Sequence, residues 1–290
     1  NEINSSAMAI IDDTTVIAGG NVDVIASSTG SIDALAFGAS LTIASSSDGT
    51  AAGLSANVAF TTNTINNTTR AAIEDSVPGT ADTVTAGGVV SLSAVESGTV
   101  LADAVSATLN FAFGSSSGNS ISGGIAVSVA LNEITSTTEA IIDNVNVSAT
   151  GDVSVVASSS KAIDALVLAA GVSVAVGSGS GNSVSITGAG AGATNTTNNS
   201  VLAIIRSANV SSGGSVALNA IDATTINADV IAASLSAAIS SSGNAGSLAV
   251  SVTIADNSIT NITRAVVEEG SIITADGTFD AHASSTGSIS

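Results

Sequence analysis

The amino-acid sequence predicts an all-β protein built as a parallel β-solenoid, and three observations lead there. The pattern Asn-x-Ile followed by Ala-x-Ile starts at Asn1, Asn63, Asn132, Asn195 and Asn257, so the successive spacings are 62, 69, 63 and 62. Units repeating at such a period stack, and each buries its face against its neighbours. Within each unit the residue character alternates with a period of two, as on a strand with one face in and one face out. The composition is 44% hydrophobic but only 2% aromatic. Ala, Val, Ile and Leu mixed with Ser and Thr suit a thin interior of small side chains in a regular lattice.

The units divide the chain into one array: 1–62, 63–131, 132–194, 195–256 and a partial 257–290. Each opens on a long strand. In the first, Asn1, Ile3, Ser5, Ala7, Ala9 and Ile11 share one face, and the second repeats the pattern from Asn63 to Ile73. The fourth copy has Thr197 where the others have Ile. The alternation starts upstream, as in 123–132 and 246–257, so the strand runs for roughly 20 residues where five or six are usual.

A short strand at 15–18 follows, then a corner at Gly19 and Gly20. The corner glycine recurs as Gly20, Gly88, Gly151, Gly214 and Gly277, and the expected reason is a positive φ. Ser27 to Ser31 reads as a second corner. A second long strand begins at Ile32, matched at Ile163, and loops such as 114–118 and 177–182 lead back to the opening Asn. The extra residues of the second unit fall between Ile73 and Gly88 and include the only proline, Pro78. Insertions of this kind belong at corners. No 3.6-residue apolar period with capping signals occurs, so no helix is expected.

Two coil geometries fit the period. One unit forms either one broad, flat coil or three narrow turns of about 20 residues, and a chain of antiparallel sandwiches is a third arrangement. The uninterrupted alternation favours the broad coil. In that coil equivalent residues stack about 4.8 Å apart. The column Asp143, Arg206, Glu268 then alternates in sign and Arg70 lies beside Glu139, although Asp12 beside Glu74 does not fit. The column Asn1, Asn63, Asn132, Asn195, Asn257 is then placed to form an amide ladder along the axis. The alternative is that each Asn marks a bend.

The net charge is −19, with Lys161, Arg70, Arg206 and Arg264 as the only basic residues. This excludes the basic footprint of nucleic-acid binding and disfavours anionic membranes. It permits divalent counter-ions and keeps a sticky β-structure soluble. There is no cysteine, hence no disulfide or thiol chemistry. The best apolar run, 162–176, contains Asp164 and is too short for a membrane helix. A membrane β-barrel would need aromatic girdles that this composition lacks. No basic signal-peptide region opens the chain and both ends fall inside a repeat, so it reads as a piece of something longer.

The chemistry-bearing residues are few. His282 is the only histidine; Asp280, His282 and Ser284 share a strand face, but the positions equivalent to His282 are Ile25, Ser93, Val156 and Asn219. An exposed strand residue is the expectation. Asp12-Asp13 and Glu268-Glu269 are adjacent on strands and point to opposite faces, a poor glycosidase pair. Asp12 and Asp13 are the one Ca²⁺ candidate, without the Gly-Gly-x-Gly-x-Asp signature of calcium-binding rolls. The run 188–192 has neither a following helix nor a nearby Lys, so it reads as close packing and not as a phosphate loop. Neither catalysis nor a cofactor is expected.

The run Ile125-Ala-Val-Ser-Val-Ala-Leu-Asn-Glu-Ile134, with Thr137-Thr-Glu-Ala-Ile-Ile142 and Gly151-Asp-Val-Ser-Val-Val-Ala157, resembles the repeats of leukotoxin-type filamentous adhesins and, more loosely, filamentous-haemagglutinin-like exoproteins. The resemblance covers the whole chain as repeats. It implies a structural β-solenoid at the cell surface or in an extracellular filament, carrying no catalytic residues. Its expected partner is itself, end to end or as a continuing chain, with a host or cell-surface glycan or protein as the ligand of the whole. The alternatives are a self-assembling fibre or sheath subunit and a polysaccharide-binding β-helix. The last needs an aromatic or carboxylate-lined groove, and the chain has no Trp or Tyr.

Overall fold

A computed structural model describes residues 1–77, 82–115 and 117–290; Pro78 and Ser116, on two of the expected corners, lie outside them. The described residues form fifteen strands and no helix. They are β1 (Glu2–Asp12), β2 (Val16–Ala18), β3 (Val22–Ser46), β4 (Ala51–Glu74), β5 (Thr83–Ala86), β6 (Val90–Gly114), β7 (Ser120–Asp143) and β8 (Asn146–Ala149). The rest are β9 (Val153–Gly177), β10 (Ser183–Arg206), β11 (Asn209–Ser212), β12 (Val216–Ser240), β13 (Ala245–Glu268), β14 (Ile272–Ala275) and β15 (Phe279–Ile289).

Three parallel sheets result, ordered β1-β4-β7-β10-β13, β2-β5-β8-β11-β14 and β3-β6-β9-β12-β15. Each unit therefore makes one broad coil of two long strands and one short one, as the uninterrupted alternation predicts. The register is strict: Asn195 lies opposite Asn132 and Asn257, and Ala94 opposite Ala26 and Ala157. A strand of 25 residues is about 80 Å long and neighbouring strands are about 4.8 Å apart. The array is thus a ribbon, wide across the coil and short along its axis.

Two sequence expectations are corrected. Ser27 to Ser31 is not a corner, because β3 runs straight through it for 25 residues. Its Ser28 and Gly30 face inward, and Ser28 meets Ser5 of the opposite sheet at 3.1 Å, so polarity here marks a polar interior. Four of the asparagines that open the repeats, Asn63, Asn132, Asn195 and Asn257, also sit inside long strands and mark no bend.

The corner glycines are where the sequence puts them, but none has a positive φ. The left-handed residues other than glycine are Asp13, Asn144, Ser207 and Glu269 (φ 48 to 56°), at the equivalent corner just after the first long strand of four coils; the positive-φ glycines are Gly179 and Gly270, neither of them a corner glycine of the repeat. Glycine is needed at the other corner because successive coils approach closely there. Gly88 N–H donates to Gly20 O at 3.0 Å, Gly151 to Gly88 at 2.9 Å and Gly277 to Gly214 at 2.8 Å, so the backbone ladder continues around the bend. A Cβ on Gly214 would lie 2.1 Å from Asp152 Oδ1, and one on Gly213 would lie 2.4 Å from Thr150 O.

The interior changes character along the coil. Beside the short sheet it holds bulky apolar residues such as Ile73, Leu92, Ile142, Val155, Ile205 and Leu218. A second cluster gathers Ile65, Val100, Ile134, Ile163 and Ile226 with many alanines. Toward the far loops the inward residues become Ala, Gly, Ser and Thr, for example Ser106, Thr108, Ser122 and Ser128.

Gly213→Ala is expected to lower stability by roughly 1–3 kcal/mol because backbone carbonyls cannot move aside. Gly20→Ala, whose Cβ would meet nothing within 4 Å, is expected to be nearly neutral. Guanidinium unfolding of the two variants checks the contrast.

Candidate functional site

Among the described residues no cleft gathers reactive groups, and several residues with chemistry form columns between coils. The first is the asparagine column. Asn1 Nδ2 donates to Asn63 Oδ1 at 2.8 Å, Asn63 to Asn132 at 2.8 Å, Asn132 to Asn195 at 2.7 Å and Asn195 to Asn257 at 2.7 Å. Asn63 and Asn195 are wholly buried. Strict register puts identical amides one strand spacing apart, and a primary amide has a donor and an acceptor to pass the chain on. Each bond contributes on the order of 1 kcal/mol net, but losing one partner strands a buried amide group at a cost of about 1–3 kcal/mol.

The second column was not singled out by sequence reasoning. Lys161 is 2% exposed and Glu96 1% exposed, and Lys161 Nζ contacts Glu96 Oε1 inside the coil. Thr138 Oγ1 donates to the other Glu96 oxygen at 2.8 Å. One coil further on, Asp222 accepts from Asn261 Nδ2 at 2.6 Å and from Ser285 Oγ at 3.2 Å. Burial pushes the Lys161 ammonium below the usual lysine range, and the nearby carboxylates of Glu96 and Asp222 oppose that push. Room for the lysine comes from Gly98 on the neighbouring strand, where a Cβ would stand 3.2 Å from Lys161 Cδ. The signal was in the sequence. Glu96 has the same strand parity as the core residues Val90, Leu92 and Ala94, and Lys161 that of Val153 and Val155.

The surface ion pairs follow the register. Arg70 reaches Glu139 of the next coil at 2.6 Å and also holds Glu74. Arg206 binds Asp143 through Nε at 3.1 Å. Glu268, its opposite neighbour, is held by Arg264 at 3.5 Å. The hydrogen bond from Arg70 to Glu74, and that from Arg206 to Asp143, raise both guanidinium pKa values further above their already high range. These pairs are part-buried, and the solvent that reaches them keeps their contribution to stability modest.

Asp12 and Asp13 lie together at a corner, but N–H and O–H donors occupy them. Ser76 N–H donates to Asp13 Oδ1 at 2.8 Å, Ser76 Oγ to Asp13 Oδ2 at 2.9 Å and Val77 N–H to Asp13 Oδ1 at 3.1 Å; Asp12 shares Ser76 at 3.2 and 3.3 Å. Desolvation works against the Asp13 charge, yet the donors on Ser76 and Val77 outweigh it and hold the carboxyl below its ordinary value. The pair pins the start of the longer corner in the second coil. Among the described residues no group of three or more His, Asp or Glu is arranged to hold a metal.

Asp280, His282 and Ser284 share the outer face of β15, and no hydrogen bond joins them. Glu269 forms the left-handed corner residue and accepts from Ser207 at 3.3 Å, while Glu268 turns to Arg264. In 188–192 the glycines Gly188, Gly190 and Gly192 face outward on β10, and Ala189 and Ala191 line the interior. No protein-family model matches the chain, and no curated protein or solved structure is similar to it.

Lys161→Met alone leaves the Glu96 charge buried without its partner and is expected to cost about 3–5 kcal/mol. Adding Glu96→Leu is expected to recover most of that loss, since a buried pair replaced by apolar side chains is often neutral. A double-mutant cycle by denaturant unfolding reads the difference, and a double variant as unstable as the single one contradicts it.

Proposed function

We propose that this chain is a structural repeat segment of a bacterial extracellular filament or giant surface adhesin. The observation that carries the reading is that its buried polar column and three of its four basic residues join coil to coil. The amide column, the Lys161–Glu96 pair, Arg70–Glu139 and Arg206–Asp143 all join equivalent or near-equivalent positions of successive coils. The sequence resemblance to filamentous adhesin repeats supports the same reading.

The alternative is a fibre or sheath of separate subunits, supported by the strict parallel register, which would let equivalent strands of two copies pair as successive coils do. A unit of this length advances the axis by only about 4.8 Å. The segment therefore provides width and surface more than reach.

Antibodies against the segment, applied to intact cells of the source organism, are expected to label the surface. The labelled polypeptide is expected to be far larger than 27.5 kDa. A native chain of about that mass moves the reading to the assembled subunit, and labelling only after permeabilisation overturns both.

A further inference from the structure

The half of each coil nearest the far loops is built inside out. On β6 the inward residues are Ser106, Thr108 and Asn110, while Leu109 and Phe113 on the same strand face outward and are 37% and 43% exposed. The pattern holds through the register. The outward column Leu41, Leu109, Val172, Leu235 crosses one sheet, and Val58, Val127, Gly190, Val252 crosses the opposite one. The interior between them is held by hydroxyls. Ser128 Oγ lies 2.9 Å from Ser106 Oγ and Ser173 Oγ lies 2.7 Å from Ser122 Oγ.

Charge respects the same boundary. The segments 36–46, 51–62, 104–114, 120–132, 167–177, 183–195, 230–240 and 245–255 contain no Asp, Glu, Lys or Arg, although the chain has 4 basic and 23 acidic residues. In the loops beyond them Asp48 is the only charged residue. On both faces the apolar band starts just past an acid-bearing column, that of Asp103 and Asp229 on one sheet and that of Asp256 on the other.

We infer that these two apolar bands are the faces on which a second copy of this chain packs, so that ribbons associate side by side through their distal halves. The area suffices. Nine residues along four strands give about 30 Å by about 19 Å per face, on the order of 600 Å². That equals the contribution of one partner at the low end of specific interfaces and the largest apolar patch usual on a monomer. Electrostatics permits it, since the −19 charge lies almost wholly outside the band and no like charges meet when bands pack together. On one face a concavity of about 510 Å³ opens where Gly123 interrupts the apolar surface between Leu54, Ile125 and Ile186, a recess for an opposing side chain. Bilayer hydrocarbon fits less well. Each coil closes at this end with a Ser, Gly and Asn loop such as 178–182, whose polar backbone would enter the lipid at several kcal/mol per unpaired group. The inference rests on the fold alone and not on where the protein resides.

Light scattering of the 290-residue chain at tens of micromolar is expected to give at least twice 27.5 kDa, rising with concentration. The double variant Leu109→Glu, Val127→Glu, one substitution per face, is expected to return to the monomer mass with an unchanged far-UV circular dichroism spectrum. The milder Leu109→Thr, Val127→Thr serves if the charged pair fails to fold. Ser93→Glu, outward on β6 but off the band, is expected to assemble like the parent. A parent chain that stays monomeric overturns the inference. So do band variants that assemble as the parent does, which would assign association to the open ends. Flotation of the monomeric parent chain with zwitterionic vesicles overturns it in favour of lipid.

Discussion

The structure depends on one constraint: the long strands find their hydrogen-bond partners in neighbouring coils, not within their own. A single coil is two long strands facing each other across a layer of alanine, serine and valine. Alone it would bury too little apolar surface to offset the entropy of ordering so long a stretch of chain. Paired in parallel, its backbone groups are satisfied and its side chains fall into columns. The corners obey the same rule. The glycines there are explained by the carbonyls and amides of the adjacent coil, not by an unusual φ.

Strict register turns identity into interaction. An asparagine that recurs at the same place in every coil has an asparagine above and below, so its amide chain runs from Asn1 to Asn257. A recurring acid would meet acids, so the charged columns vary: Ser28, Glu96, Ser159, Asp222 and Ser285 occupy one inward column, with Lys161 two residues along from Ser159. The buried polar layer separates two apolar clusters. A slip of one residue would turn Lys161 and Glu96 outward and the isoleucines with them, which makes the layer a candidate register key.

The fold class and the single broad coil were legible because a period-two pattern unbroken along so long a strand leaves no place for a turn. What was not legible has a common cause. Ser27 to Ser31 looks like a corner because Ser, Thr and Gly usually mark turns in globular proteins, whereas here the same residues fill a polar interior one strand away from Ser5. Gly88 and Gly214 were assigned a φ when their need comes from the neighbouring coil, which only three dimensions supply. Lys161 and Glu96 belong to different repeats, and their pairing follows from register, although their strand parity already marked both as inward. The apolar outer bands escaped notice because alternation alone does not say which of two faces is the inside, and in the distal half the smaller, more polar set is.

Each sequence repeat advances the axis by one strand spacing, and everything above follows from that. Because the chain has no cysteine, spin labels on Ser6→Cys and Ile262→Cys report it without background. These solvent-facing positions are equivalent and four coils apart. Pulsed electron spin resonance should give a backbone-to-backbone separation of about 19 Å, four times the strand spacing, broadened by the label arms. A separation of about 58 Å, three strand spacings per repeat, would mean that each repeat winds three narrow turns and would contradict the account.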